Sequence, residues 1–259
     1  MLKISGVQEC FVYCTSFAKD IKTYLKNWTE DQGANVMTIN TIINEECHSF
    51  GDAMRDIDGK GILRQDFLLL FGDCIGNVNL APILQEHKTR SKEDKNATMT
   101  LLYRKAAPGH HLRTVKNEVF LTVNNSNKIL HFSRPGPQNN FKIPLEIFEE
   151  NEVNLKFDLL DLGLAICTQA VPPLFADNFD CQTLDQFIIG VLQDDLTDNT
   201  LYMEELSNSY AAKITDFHTY FACQNDLLHR WLYPIVPEIC SGKTPSNIGK
   251  NLYNFDEIM

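Results

Sequence analysis

The chain has 259 residues, 44% of them apolar, enough for one large α/β domain or two small ones with an ordinary core. Its 23 Lys and Arg against 34 Asp and Glu give a formal charge of -11, which argues against the basic footprint of a nucleic-acid-binding surface. No apolar run is long enough to span a bilayer, and the N-terminus lacks the basic start and sustained apolar core of a secretory signal.

The eight cysteines, from Cys10 to Cys240, lie mostly inside apolar runs and include no Cys-x-x-Cys pair. Buried, reduced thiols of a cytosolic protein are the natural reading, ahead of a disulfide framework or a zinc site.

In chain order, Met1 to Gly6 has the pattern of a helix's last turn, with Gly6 as the left-handed residue after it. A strand follows over 7–14. Next comes a helix capped by Ser16, with Phe17, Ile21, Tyr24 and Leu25 on one face, ending near Trp28. Residues 35–40 read as a second strand. Ser49 to Gly61 mixes helix formers with a glycine-rich end and leads into DFLLLFGDCIGNVNLAPILQEHK, Asp66 to Lys88.

There, five apolar residues from Phe67 to Phe71 leave no polar face, the pattern of a strand buried on both sides in a parallel sheet covered by helices. Gly72 and Asp73 stop it, Gly76 and Asn77 make a turn, and Asn79 caps a helix through Leu80, Ile83, Leu84 and His87. This alternation of strands and helices predicts a doubly wound α/β sheet. In such sheets ligands bind outside the carboxyl ends of the strands, so Asp73 stands where a metal-phosphate contact would fall. The plainer reading is that it hydrogen-bonds the turn.

After a charged stretch over 88–95, residues 97–103 read as a strand. The loop APGHHLR sets His110 and His111 side by side, a pair more often solvated than ligating. Strands over 118–123 and 128–132 flank Asn124 to Asn127 as an antiparallel hairpin. Residues 154–167 contain a strand rich in Leu and Ile, with Gly163 placed in it where a bulge or a close backbone approach is expected.

A short helix ends near Ala176, and the loop DNFDCQT then carries Asn178 and Phe179. Thr183 and Gln186 have the spacing of a capping box for a helix using Phe187, Ile188, Val191 and Leu192. Strands over 201–206 and 210–214 lead to a last helix carrying Tyr220, Leu227, Leu228 and Trp231, after which Pro234 and Pro237 force an extended path. The expected organisation is one domain over 1–233 and an extended linker or unfinished continuation over 234–259.

Residues 66–88 resemble the central strand and following helix of the sugar-nucleotide nucleotidyltransferases, in which an Asp at the position of Asp73 helps hold magnesium on the nucleotide phosphates. Over a longer span, SGVQECFVYCTSFAKDIKTYL, SFGDAMRDIDGKGILRQDFLLLFGDCIGNVNL, LFADNFDCQTLDQFIIGVL and RWLYPIVPE are similar to the epsilon-subunit family of the eukaryotic translation initiation factor 2B guanine-nucleotide exchange complex. The similarity runs from Met1 to about Glu238.

That resemblance implies a doubly wound, mixed and mostly parallel sheet of nucleotidyltransferase-like, Rossmann-like type, lacking its first strand. It places that strand and the signature phosphate loop before Met1, and hexapeptide β-helix repeats and a helical exchange domain after Met259. It implies two kinds of partner in the cytosol: the other subunits of the complex, and translation initiation factor 2, the G protein. An Asn-Phe pair that engages the G protein maps onto Asn178 and Phe179. Neither a membrane nor direct nucleic-acid contact is implied, and no catalytic residue, cofactor or metal is expected within this chain, with Asp73 a remnant. For Phe179 the alternative is a staple packed on the first turn of the following helix.

Two other functions compete. An active sugar-nucleotide nucleotidyltransferase, or pyrophosphorylase, needs a glycine-rich phosphate loop that does not precede the first complete strand here. It also needs a second metal carboxylate, for which Asp216 in KITDFHTYF comes nearest to the family's DxGT, with His218 where the Gly belongs. A regulatory domain that senses nucleotide sugars without turning them over is the third possibility.

Overall fold

The computed structural model describes residues 1–2, 5–32, 37–136, 142–149, 152–194, 197–207, 209–236, 246–249 and 252–254. In chain order the first elements are β1 (Glu9–Cys14), α1 (Ala18–Gln32), β2 (Thr38–Ile43), α2 (Phe50–Gly59), β3 (Phe67–Leu70), β4 (Cys74–Gly76) and α3 (Ala81–Glu93). The middle of the chain supplies β5 (Ala97–Lys105), β6 (Glu118–Val123), β7 (Ile129–Ser133) and β8 (Asn154–Cys167). Then come α4 (Val171–Asp177), α5 (Leu184–Gln193), β9 (Thr200–Leu206), β10 (Ala211–Lys213), α6 (Phe217–Leu228), β11 (Ser246–Gly249) and β12 (Leu252–Asn254). Among the described residues no helix is long and apolar enough to cross a membrane.

The mixed sheet expected from the sequence is present. A six-stranded sheet runs in the order β7-β6-β8-β5-β9, with β3 paired to β8. Strand β6 is antiparallel to both β7 and β8, while β1 and β2 form a separate parallel pair in register from Glu9↔Thr38 to Cys14↔Ile43. The residues gather into two compact units: Met1–Leu68 with Asn79–Thr100 and Ile166–Tyr202, and Leu69–Val78 with Leu101–Ala165 and Met203–Met259. The first contains β1, β2 and the helices α1 to α5. The second contains β4, β6, β7, β10 and α6. Its packing includes Leu112, Leu160, Tyr210, Ala222 and Leu232, all buried.

Several expectations change in detail. The apolar run of β3 is half-buried throughout rather than enclosed, because β8 is its one strand partner among the described residues. Phe17 lies outside α1 with φ 52 and is exposed with Tyr24, so the helix's inner face is Ala18, Ile21, Leu25 and Trp28. Where the sequence suggested a turn at Gly76 and Asn77, Gly76 is the last residue of the three-residue strand β4, antiparallel to β10 and opposite Ala211. At α3 the cap position falls on Leu80, yet Asn79 still accepts from the Ala81 N–H at 3.1 Å.

Tyr220 and Trp231 are exposed, and Trp231 follows α6 rather than belonging to it. The path through Pro234 is a turn, with buried Leu232 and Val236 either side of it, instead of an extended strand; Pro237 lies outside the described residues. Gly163 is as anticipated: its φ is +63, and a Cβ there would meet the Phe71 Cβ at 3.2 Å.

Candidate functional site

The DNFDCQT loop joins two helices over a few residues and is pinned at both ends. Helix α4 opens with proline in its first turn and ends at Asp177. Helix α5 begins after Thr183, whose Oγ1 accepts from the Gln186 N–H at 3.2 Å while Gln186 Oε1 accepts the N–H groups of Thr183 at 3.0 Å and Gln182 at 2.9 Å. Between them, Asn178 Oδ1 accepts from the Asp180 N–H at 3.0 Å, and Gln182 Nε2 donates to the Phe179 carbonyl at 2.7 Å. Beneath the loop, Phe175 stacks on Phe187 with centroids 4.3 Å apart and meets Phe50 edge-on at 5.3 Å.

The N-terminal turns of α2 hold the loop from the other side. Ser49 and Asp52 form a reciprocal capping box, and Ser49 Oγ also donates to Gln182 Oε1. The Gly51 N–H donates to the Gln182 carbonyl at 3.1 Å, an approach so close that a Cβ on residue 51 would sit 2.0 Å from the Cys181 carbonyl oxygen. Arg55 completes the clamp. Its Nη1 donates to the carbonyls of Phe175 at 3.2 Å, Asn178 at 3.4 Å and Cys181 at 3.4 Å, and its Nη2 pairs with Asp52 Oδ1 at 2.8 Å. The guanidinium also lies over the Phe179 ring, 5.1 Å from its centroid.

Phe179 is nevertheless 71% exposed. The start of α5 is therefore held by the Thr183 box and not by burial of that ring. Sequence reasoning singled out Asn178 and Phe179 but missed Arg55, Asp52, Gly51 and Gln182. The available signal was GDAMRD, which puts Asp52 and Arg55 three apart on one helical face.

Asp73 does follow β3, and its carbonyl accepts from the Ile214 N–H at 2.8 Å. Its Oδ1 is buried without a hydrogen bond, and burial pushes its carboxyl up, with Lys213 opposing the shift and Asp161 adding to it. Asp161 itself pairs with Arg134 at 2.7 Å and Lys213 at 3.4 Å, and its Oδ1 accepts from the Gly163 N–H at 2.8 Å. Burial acts to raise this carboxyl too, but Arg134 and Lys213 outweigh it and hold it below the usual carboxylate range.

Asp216 is committed elsewhere. It caps α6, its Oδ1 accepting from the Thr219 N–H at 2.8 Å and the Thr219 hydroxyl at 2.9 Å. Among the described residues no group of three or more His, Cys, Asp or Glu is placed to hold a metal ion. With the Lys213 ammonium paired to Asp161 and acting on Asp73 through its charge, and Asp216 serving as a cap, these residues do not fit the magnesium implied by the nucleotidyltransferase resemblance. The His110-His111 pair is not merely solvated either: the rings stack at 4.5 Å, and His111 Nε2 lies 2.8 Å from Asp226 Oδ2, which also accepts from the Tyr210 hydroxyl at 2.6 Å.

The fold is that of the nucleotidyltransferases. HddC from Yersinia pseudotuberculosis matches with a TM-score of 0.54 at 14% identity over 86% of this chain and 81% of that one. The inositol-1-phosphate CTP transferase from T. maritima matches with a TM-score of 0.54 at 13% identity over 84% and 76%. Identities this low show a shared fold alone. No family model matches the chain.

By sequence the chain is 35% identical over 241 residues to the translation initiation factor eIF2B subunit epsilon of Schizosaccharomyces pombe, and 33% identical over 242 residues to that of Dictyostelium discoideum. Each alignment takes in 92% of this chain but only 36% and 34% of those subunits. The chain is thus a relative of a segment of the eIF2B epsilon subunit, as its motifs implied.

Proposed function

We propose that this chain serves as the scaffold and partner-engaging part of an epsilon subunit, residues 1–233 acting as its nucleotidyltransferase-like domain within the eIF2B complex. Its Asn178-Phe179 loop contacts translation initiation factor 2, the G protein whose GDP/GTP exchange the complex promotes. The observation that supports this most is an aromatic ring left in solvent on a loop that is otherwise fastened. A side chain already held in its bound position loses little entropy on association, and aromatic anchors typically contribute ~2 kcal/mol or more at an interface centre. Exchange chemistry belongs, on this reading, to a helical domain outside the chain, and the segment turns over no sugar nucleotide.

The test uses the complete subunit in the assembled complex. Asn178→Ala and Phe179→Ala should each slow nucleotide release, Phe179→Ala by roughly thirtyfold at limiting substrate if the anchor contributes the usual amount. Assembly and melting temperature should stay near those of the unsubstituted complex. Normal exchange with a depressed melting temperature for Phe179→Ala would instead make the ring a structural staple and remove the assignment.

A further inference from the structure

We infer that Arg55 is the positioning residue of the partner contact: it fixes the loop so that Phe179 is presented to an apolar pocket on the G protein. This rests on the reading of Phe179 as a partner contact. Arg55 does not reach the partner itself, since its side chain is 11% exposed. Its action runs through what it holds.

A guanidinium offers five N–H donors in a rigid planar fork, and here the fork is used on both sides of the loop. The Phe175 carbonyl lies in the last turn of α4, where helical carbonyls have no partner within the helix and a nearby cation is favourable. The Asn178 and Cys181 carbonyls bracket the exposed ring at either end of the loop. Asp52 fixes Nη2, and Asp52 is itself held by the Ser49 N–H at 3.1 Å. The aromatic ring then rests on the cation and leaves most of its surface in solvent. One side chain on α2 thereby sets the backbone path and the orientation of Phe179 together.

A lysine would keep the charge at residue 55, but its compact ammonium has no planar fork with which to bracket the loop. Arg55→Lys therefore separates positioning from charge. GDP release from initiation factor 2 is followed across substrate concentrations for the complete complex carrying Arg55→Lys, Phe179→Ala or both. Arg55→Lys should raise KM by about three- to tenfold, the range expected when a net hydrogen bond holding the loop is lost, with kcat changed less than twofold. On the Phe179→Ala background its effect should shrink to what Asn178 still contributes, because residues acting as one unit are not additive.

A full additional loss in the double variant, or an unchanged KM for Arg55→Lys, overturns the inference while leaving Phe179 as a contact. Unimpaired exchange by Phe179→Ala removes the underlying reading and the inference with it. Should Arg55→Lys destabilise the domain, Phe179→Leu gives an independent answer, since the exposed position tolerates it and leucine keeps an apolar side chain without an aromatic face. It should lose part of the exchange rate, because no ring then rests on the guanidinium. Retention of the full rate would overturn the inference.

Discussion

Asp161 shows how much one carboxylate can organise. Its two cations and the Gly163 N–H surround a side chain that is nearly out of solvent, so removing the charge leaves Arg134 and Lys213 competing for neutral partners. Asp161→Asn should lower stability by about 3 kcal/mol, as breaking a buried ion pair does. Because the folded carboxyl titrates below its ordinary value of 3.8, its contribution is complete above that pH and is lost as pH falls through the lower folded value. Unfolding midpoints taken from neutral pH downward, with and without the substitution, should converge only at the acid end.

Asp73 carries the opposite sign. Burial raises it, so the charged form is disfavoured in the fold, and Asp73→Asn should leave the melting temperature unchanged or raise it. The chain should release no pyrophosphate from a nucleoside triphosphate and a sugar phosphate. Release that Asp73→Asn abolished would make the residue catalytic after all. Asp73 was legible because a polar residue ended an unbroken apolar run. Arg55 was not, because its contact with Phe175 joins positions 120 apart in sequence.

At the scale of elements, local chemistry was the readable part. The Thr183 box and the Asn124–Asn127 hairpin each declare themselves within a few residues, since caps and turns depend on immediate neighbours. Strand β4 was harder: three residues carry no usable periodicity, and pairing with β10, which lies within the strand read over 210–214, is what makes it a strand. Two glycines at the candidate site separate the local from the long-range. Gly190, within α5, would place a Cβ 3.6 Å from Cys181 Sγ, ordinary contact, so Gly190→Ala should stabilise by ~0.5–1 kcal/mol through helix propensity. Gly51→Ala drives a methyl into the Cys181 carbonyl and should cost roughly 2 kcal/mol or more, parting α2 from the loop. Opposite shifts of the unfolding midpoint are expected from the same chemical change.

For the whole molecule, the sequence motifs identified the relatives, and the α/β alternation identified the class of fold. The degree of enclosure was not legible, because apolar content alone does not say whether neighbours are present to cover a strand. Among the described residues β3 is half-buried with β8 as its strand partner and β1 and β2 pair with each other, and an uncovered strand edge invites association. The 259-residue chain expressed by itself should therefore aggregate rather than melt cooperatively, and a monomeric, cooperatively unfolding product would contradict that expectation.

The claim that this segment engages the G protein through the loop after α4 is tested most directly by a benzophenone probe at position 179 of the complete subunit, irradiated in the assembled complex during exchange. The account predicts cross-links to translation initiation factor 2 that unlabelled factor suppresses, with none from a probe at exposed Tyr24 on α1. Cross-links from position 24 to the factor, with none from position 179, would contradict it.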